Sequence, residues 1–468
     1  MTDPVPPGAL PPGAPPPAYP SSPPLAAPSS PVPPGVHTGP VLPPSPPPSP
    51  PPAPPSRHPW IVVGALVLVV ALVGAIALVL RDDGDETAAR PRLERDEPDE
   101  PDATTTTPEQ PTTTSPPNGA VDAIIDELSA FVEQERGLEF ERDVNVELAE
   151  DAEFEDRLLE GFEEDADLLR DFGDVLRAVG QVEPGTDSVE AFRSLYRAAV
   201  VGFYDPETDE LVVRGAELTP YVRSVVVHEL THALDDQHFE LDRPELEEAT
   251  DESEFGFTAV VEGNARRVED AYVESLPDGE RAELEAEALI AGLDPAIFEA
   301  PPVFVGLLQT PYSAGPELVG QLLEAGGQAR LDAALAAPPT TSEQVLEPDA
   351  FLAGEGAVAV AEPSAEGEVF DRGTLGSLLL GVILADDPLS TLLGDVVGFD
   401  GWGGDSYVAW RNDDGTSCVR ANAIGDSDGD TAELRDALSD WAAAPPFSVT
   451  ATVTGGDPGQ PVTLTSCG

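Results

Sequence analysis

The pattern of apolar and polar residues separates a first quarter without a core from a remainder that can fold. Residues 1–60 are proline-rich and nearly uncharged, which predicts a disordered tail, more typical of a spacer than of a ligand for proline-binding grooves. Residues 61–80 form an uninterrupted apolar run. At about 1.5 Å per residue this run spans about 30 Å, the thickness of a bilayer core, and predicts one transmembrane helix. Residues 82–119 are acidic and then rich in threonine and proline, which predicts an extended linker.

From residue 120 to residue 468, apolar residues recur at helical spacing in several segments and alternate with polar residues in others. Helical spacing predicts helices over residues 122–135, 152–178, 188–199, 219–236, 262–276 and 279–293. Alternation predicts strands over residues 144–148, 448–454 and 462–466, and a hairpin formed by residues 200–204 and 210–214. The pattern therefore predicts an α+β fold that is mostly helical, with a small sheet and a C-terminal α+β part from about residue 400.

Composition excludes one class of partner and favours one compartment. The net charge is −65 and the chain contains no lysine, so we expect no binding to the phosphate backbone of a nucleic acid. The two cysteines, Cys418 and Cys467, both lie in strand-like segments and favour a disulfide that ties down the chain end. A disulfide and a Thr/Pro linker suit an oxidising exterior. We therefore expect a single-pass protein of the cell membrane with its C-terminal domain outside, although the arginine distribution favours the opposite orientation.

The predicted helix at residues 219–236 carries the candidate chemistry. It begins with Thr219 as N-cap and Pro220 in its first turn, and it contains the sequence His-Glu-Leu-Thr-His at residues 228–232. His228 and His232 are four residues apart, so their side chains lie on one face, about 6 Å apart at Cβ, as two imidazoles on one metal ion require. Glu229 is placed beside them to act as a base on a metal-bound water.

The residues alone leave two candidates for a third metal ligand. His238 lies ten residues after His228, which is the spacing of the extended metzincin motif. Against this candidate, Asp235 stands where that motif has glycine, and a Met-turn is excluded because Met1 is the only methionine. Glu262 lies in an apolar run from residue 255 to residue 268, where an unpaired carboxylate is costly to bury and a metal would remove that cost. Its alternative is a solvated helix residue or an ordinary ion pair with Arg266 or Arg267.

The combination of His228, Glu229 and His232 with Glu262 from the next helix resembles the gluzincin family of zinc metallopeptidases. The resemblance implies a gluzincin-like domain in which His228, His232 and Glu262 bind Zn²⁺ and Glu229 is the catalytic general base. It also implies a peptide or protein substrate, bound in extended form along a nearby sheet edge. Thermolysin-like gluzincins carry Asp four residues after the ligand Glu, whereas this chain has Arg266, so we expect a different set of outer contacts around the metal.

Other segments extend the resemblance without adding chemistry. Residues 311–315, 337–344 and 401–405 are similar to segments of a bacterial membrane-anchored family of H-E-x-x-H proteins of uncharacterised activity, over about residues 120–445. Within them, Tyr312 is a candidate oxyanion donor, but a buried hydroxyl that satisfies a turn is the favoured interpretation. Residues 426–430 lack the glycine and glutamate positions of a calcium loop, so we expect a turn with Asp430 near a helix N-terminus.

Taken together, the residues and the resemblance predict a membrane-anchored zinc metallopeptidase. The alternative from another class is a catalytically inactive binding or scaffold protein at the cell surface that keeps a structural metal. Glu229 favours the enzyme, because a scaffold does not need this base.

Overall fold

The computed structural model describes residues 118–160, 162–163, 165–247, 249, 251–385 and 397–468. The predicted tail, transmembrane helix and linker lie outside these residues, except for the last two linker positions, which begin the first helix. None of the helices that the structure does describe has both the length and the apolar character needed to cross a bilayer. The described residues combine many helices with two small sheets, which confirms the prediction of a mostly helical α+β fold.

Helices form most of the described chain and surround the candidate site. In chain order they are α1 (Asn118–Arg136), α2 (Asp151–Leu158), α3 (Ala166–Ala178), α4 (Ser188–Ala199), α5 (Pro220–Phe239), α6 (Pro244–Glu247), α7 (Ser253–Ser275), α8 (Asp278–Ala291), α9 (Pro295–Glu299), α10 (Pro302–Gly326), α11 (Gln328–Ala336), α12 (Ser342–Leu346), α13 (Pro348–Ala353), α14 (Gly376–Leu384) and α15 (Asp428–Ala443).

The first sheet lies beside the helix that carries the His-Glu-Leu-Thr-His sequence. Its strands are β1 (Val146–Ala149), β2 (Gly202–Asp205) and β3 (Glu210–Arg214), in the order β1-β3-β2. Strands β2 and β3 pair antiparallel, with Gly202 opposite Val213, so the predicted hairpin is confirmed. Strand β1 pairs with β3 in parallel. Both β2 and β3 pack against α5, and β2 is an edge strand of this sheet.

The second sheet is antiparallel and belongs to the C-terminal part. Its strands are β4 (Glu368–Gly373), β5 (Trp402–Arg411), β6 (Ser417–Gly425), β7 (Thr450–Gly455) and β8 (Val462–Cys467), in the order β4-β5-β6-β8-β7. The two strands predicted near the chain end are confirmed as β7 and β8. The sheet also includes β4, which precedes residue 400. Cys418 on β6 lies opposite Cys467 on β8, and the two form the expected disulfide.

Two local predictions have different outcomes. The single helix predicted over residues 152–178 is wrong, because the structure has α2 and α3 with an interruption between them. The intervening sequence contains Gly161 and four acidic residues from Glu160 to Asp165; glycine and like charges at helical spacing both disfavour a continuous helix.

The predicted turn at residues 426–430 is confirmed. Ser427 and Asp430 form a reciprocal capping box at the start of α15.

Helix α5 is buried on every side, whereas its sequence predicted one apolar face. Val226, Val227 and Leu230 are fully buried, and so are the polar residues Ser224 and Thr231. Both hydroxyls donate hydrogen bonds to carbonyl oxygens of the same helix, at 2.9 and 2.8 Å, which removes the cost of burying them. Because α1, α7, α8, β2 and β3 all pack around it, α5 is the central element of its region.

Candidate metal centre

Helices α5 and α7 bring together the three ligands that the resemblance implies. The carboxylate Oε2 of Glu262 lies 3.1 Å from Nε2 of His228 and 3.4 Å from Nε2 of His232. All three ligand atoms lie within 4.8 Å of one another, and all three residues are buried. Two imidazoles and one carboxylate converging on a point form a donor set typical of a zinc site that keeps a fourth position for water or substrate.

The start and the orientation of α5 follow from its sequence. Thr219 caps the helix by accepting a hydrogen bond from the amide of Val222, and Pro220 occupies the first turn. One turn separates His228 from His232, so the two rings meet edge to face with centroids 4.7 Å apart. The predicted start of this helix and its pairing of the two histidines are confirmed.

A buried polar network fixes α7 against α5. Asp235, one turn after the histidine pair, accepts a hydrogen bond of 2.6 Å from Nδ2 of Asn264, two residues after Glu262. The other oxygen of Asp235 accepts a hydrogen bond of 2.7 Å from Nε of Arg136, which is also fully buried. Because each charged group is paired, this network holds the two ligand-bearing helices in register without leaving a charge unsatisfied. Asp235 therefore has a structural partner in the position where metzincins have glycine.

Helix α10 approaches α7 unusually closely and places an aromatic ring on the site. A Cβ added to Gly263 would lie 2.3 Å from the backbone of Gly315, and one added to Gly315 would lie 2.3 Å from the carbonyl oxygen of Ala259. Only glycines permit this approach. It brings Tyr312, in the singled-out segment 311–315, onto His228, with ring centroids 6.1 Å apart and nearly parallel planes. Tyr312 is buried, as expected, but it lies within α10, so the turn expected at this residue is wrong.

The second nitrogen of His228 also has a carboxylate partner. Nδ1 of His228 lies 3.2 Å from Oε2 of Glu269, which is only 1% exposed and lies two turns after Glu262 on α7. Glu269 is not among the residues predicted for this site from the sequence. A signal was present, since an acid seven residues after Glu262 falls on the same face of a helix.

The site favours positive charge between its ligands. Burial lowers the pKa of His228, but its hydrogen bonds to Glu262 and Glu269 outweigh burial and raise the pKa to about 10. Burial raises the pKa of Glu262, but the neighbouring charge of His232 and the hydrogen bond from His228 lower it to about 2. The carboxylates therefore stabilise a cation at this position, whether a proton or a metal ion supplies the charge.

Glu229 differs from the three clustered residues. Its side chain is fully buried, and neither carboxylate oxygen has a hydrogen-bond partner among the described residues. Burial raises its pKa to about 7, against the opposing effect of His232 and His228. A Cβ at Gly202 of β2 would lie 3.3 Å from Cγ of Glu229 and 2.6 Å from the side chain of Val225, so glycine is required for β2 to pack here. An unpartnered buried carboxyl with this pKa suits a proton acceptor at neutral pH.

A cavity of about 290 Å³ opens beside the cluster. His232 and Glu262 line one part of it, while α7 and the segment after α5 contribute apolar side chains. Those apolar residues are Leu241, Leu246, Phe257 and Val261, and the acidic lining residues away from the cluster are Asp205, Glu207, Asp242 and Glu254. Glu229 does not line this cavity. The strand end at Tyr204 and Asp205 does, so the cavity lies between the edge strand and the ligand helices.

His238, the other candidate for the third ligand, lies apart from the cluster. Its Nε2 contacts the carbonyl oxygen of Glu139 at 2.9 Å, and the group of converging ligand atoms contains Glu262 instead. The alternatives for Glu262 are wrong. Its side chain is buried rather than solvated. Among the described residues, Arg266 pairs with Asp270 at 2.8 Å and lies near Glu269, while Arg267 lies 3.9 Å from Glu135. The geometry therefore supports Glu262 over His238.

The donor set fits a divalent metal by its own chemistry. Two neutral imidazole nitrogens and one carboxylate suit Zn²⁺, and Glu269 provides the outer hydrogen bond that metal-binding histidines usually make. Comparison of the chain with protein-family models, with curated proteins and with solved structures finds no match. The assignment of this centre therefore rests on its residues and their geometry.

Proposed function

We propose that this protein is a zinc-dependent metallopeptidase that hydrolyses peptide bonds, with His228, His232 and Glu262 holding the metal. The convergence of these three buried side chains to within 4.8 Å of one another is the observation that carries the proposal. Bound zinc would supply Lewis acidity, polarising a scissile carbonyl and making a water molecule more acidic. The remaining chemistry belongs to residues of the chain itself.

Glu229 is the general base in this proposal. It accepts the proton of the attacking water on a carboxylate oxygen and passes it to the nitrogen of the leaving amine. A pKa of about 7 suits both halves of this transfer, because the group can accept and release a proton at neutral pH. Neither oxygen of Glu229 has a hydrogen-bond partner within the described residues, so no existing hydrogen bond has to break before the carboxylate takes up this proton.

The edge strand β2 suits an extended peptide. The amide of Arg214 donates to the carbonyl of Val201, and the register continues from Gly202 opposite Val213. Alternation along an antiparallel pair then directs the backbone groups of Gly202 and Tyr204 away from β3. No strand pairs with that side of β2 in the part of the chain that the structure describes. We infer that a substrate backbone pairs there, with side chains entering the adjacent cavity.

The second candidate function is a cell-surface scaffold that keeps a structural metal and catalyses nothing. One observation favours it: Glu229 is fully buried and does not line the cavity. Catalysis therefore requires a rearrangement that exposes Glu229 to the attacking water, whereas a scaffold requires none. The two functions differ in whether Glu229 affects any reaction.

The experiment uses the purified full chain supplied with Zn²⁺ and a library of unstructured peptides. We expect cleavage by the wild type and a loss of about 10²- to 10⁴-fold in Glu229→Gln, with zinc content unchanged. Glu274→Gln, which alters an exposed acid of α7, is the matched control and should cleave normally. Stoichiometric zinc without cleavage of any peptide would favour the scaffold.

We further propose that the enzyme is anchored in the cell membrane by residues 61–80, with its C-terminal domain outside. The Cys418–Cys467 disulfide supports this orientation, because such bonds persist in oxidising compartments. Protease added to intact cells should then remove the domain and spare the proline-rich tail. A protected domain with both thiols reduced would overturn the orientation and leave the peptidase proposal intact.

A further inference from the structure

The imidazole of His228 lies between two carboxylates of one helix. Glu262 faces its Nε2 at 3.1 Å and Glu269 faces its Nδ1 at 3.2 Å. Because Glu262 and Glu269 are seven residues apart, they project from α7 on the same side, two turns apart. The ring therefore has one nitrogen directed toward the converging ligands and the other directed away from them.

The carboxylate of Glu269 is shielded from water and contacts His228. It is 1% exposed, and a cation lies one turn away, with Nη1 of Arg266 at 3.7 Å from the same oxygen that faces His228. Arg266 also pairs with Asp270 at 2.8 Å, which fixes the guanidinium beside the buried acid. Arg266 stands four residues after Glu262, where thermolysin-like gluzincins have Asp. In this chain the carboxylate that contacts His228 is Glu269, three residues after Arg266.

Glu269 is not itself a ligand in this geometry. The ligand atoms that converge to within 4.8 Å belong to His228, His232 and Glu262, whereas Glu269 contacts the opposite nitrogen of His228. A carboxylate at that nitrogen accepts a hydrogen bond from Nδ1–H and so keeps this nitrogen protonated. A metal ion that replaces the proton on Nε2 would then meet a lone pair directed at the ligand cluster.

We propose that Glu269 is a positioning residue that orients His228 and raises the affinity of the centre for Zn²⁺. The proposal rests on the metal site of the proposed function. It adds a specific prediction, since outer carboxylate partners of metal-binding histidines typically change metal affinity by about 10- to 100-fold.

The test measures Zn²⁺ affinity of the purified full chain by competition with a chromogenic chelator. Glu269→Leu should weaken binding by about 10- to 100-fold, and Glu269→Gln should fall between it and the wild type because the amide oxygen still accepts the Nδ1–H proton. Glu274→Gln, an exposed acid on the same helix, should bind like the wild type. Far-UV circular dichroism without added metal should show that all four proteins fold alike.

A second readout separates positioning from general loss of structure. In the zinc-loaded wild type, the Nδ1–H proton of His228 should give a downfield NMR signal typical of a hydrogen bond to a carboxylate. This signal should move upfield most in Glu269→Leu, less in Glu269→Gln and not at all in Glu274→Gln. If the wild type binds zinc and Glu269→Leu binds it with the same affinity, the proposed role of Glu269 is wrong and the proposed metal site is unaffected. Failure of the wild type to bind zinc would overturn both.

Discussion

Two buried carboxyl groups, Glu229 on α5 and Asp405 on β5, have opposite surroundings. Asp405 accepts three hydrogen bonds, from the amides of Leu375 and Gly376 and from Nε1 of Trp402, at 2.7 to 2.9 Å. Glu229 accepts none within the described residues. Burial raises the pKa of both, to about 6 for Asp405, where the three donors oppose the shift, and to about 7 for Glu229.

The number of hydrogen-bond donors distinguishes Asp405, a carboxylate that stabilises the fold, from Glu229, which we propose takes part in catalysis. Asp405 ties the end of the 401–405 segment to the start of α14, so its charge is matched by donors in the folded state. An unmatched buried acid such as Glu229 costs stability, and such groups are characteristic of functional sites. The singled-out segment 401–405 is therefore structural, whereas the segment containing Glu229 belongs to the proposed centre.

The largest effect should follow from removing a ligand of the centre. Glu262→Ala should abolish stoichiometric zinc binding, because two imidazoles alone do not complete a zinc site, and it should retain helix content. His238→Ala should keep about one zinc ion per chain. Elemental analysis after dialysis measures both. Zinc retained in the Glu262 variant and lost in the His238 variant would reverse the ligand assignment.

Removal of Asp405 should affect stability and leave the metal centre unchanged. Asp405→Ala leaves three donors without their charged acceptor, and we expect the free energy of unfolding to fall by about 4 kcal/mol. Urea unfolding measures it, and Asp440→Ala, an exposed acid of α15, serves as the control within about 0.5 kcal/mol of wild type. Loss of zinc from the Asp405 variant would contradict the separation of the two regions.

Removal of the disulfide, like removal of Asp405, should lower stability without changing zinc content. Cys418 and Cys467 are separated by 49 positions in the sequence, so replacing both with serine releases a long loop in the unfolded chain. We expect the free energy of unfolding to fall by about 2 to 4 kcal/mol, with zinc content equal to that of the wild type. Unchanged stability in the double variant would show that the pairing of β6 with β8 suffices alone.

Glu229→Gln should change the free energy of unfolding with the opposite sign, so that the variant is more stable than the wild type. A pKa raised from its ordinary 4.5 to about 7 means that the folded state binds this proton more tightly than the unfolded state. Wild-type stability is therefore undiminished below about pH 4.5 and decreases as the pH rises toward 7. With a chelator present, the variant should equal the wild type at pH 4 and exceed it by up to about 3 kcal/mol at pH 8. A variant less stable at pH 8 would contradict this account.

Local patterns in the sequence predicted the elements that depend on neighbouring residues. The cap at Thr219, the spacing of His228 and His232, the β2–β3 hairpin and the capping box at Ser427 all depend on contacts within a few residues. Glu262 was predicted because a lone acid in an apolar run needs a partner. Such features can be predicted from a short stretch of sequence, because a turn, a cap or a periodic pattern is complete within it.

The remainder depends on contacts between distant segments. The burial of α5 on all sides follows from packing by helices and strands on either side of it in sequence, and no local pattern shows that. Gly202 and Gly315 are ordinary glycines until the structure brings Glu229 and Ala259 against them. Glu269 lies at helical spacing from Glu262, but pairs of acids at helical spacing are common in so acidic a chain. Only the 3.2 Å contact with His228 distinguishes Glu269.

His228, His232 and Glu262 should together bind one Zn²⁺ ion. Crystals of the full chain grown with Zn²⁺ allow an anomalous difference map at the zinc absorption edge. We expect one strong peak about 2.0 to 2.1 Å from Nε2 of both histidines and about 2.0 to 2.2 Å from a carboxylate oxygen of Glu262. A map without a peak there, or with the peak bound to His238, would contradict this expectation.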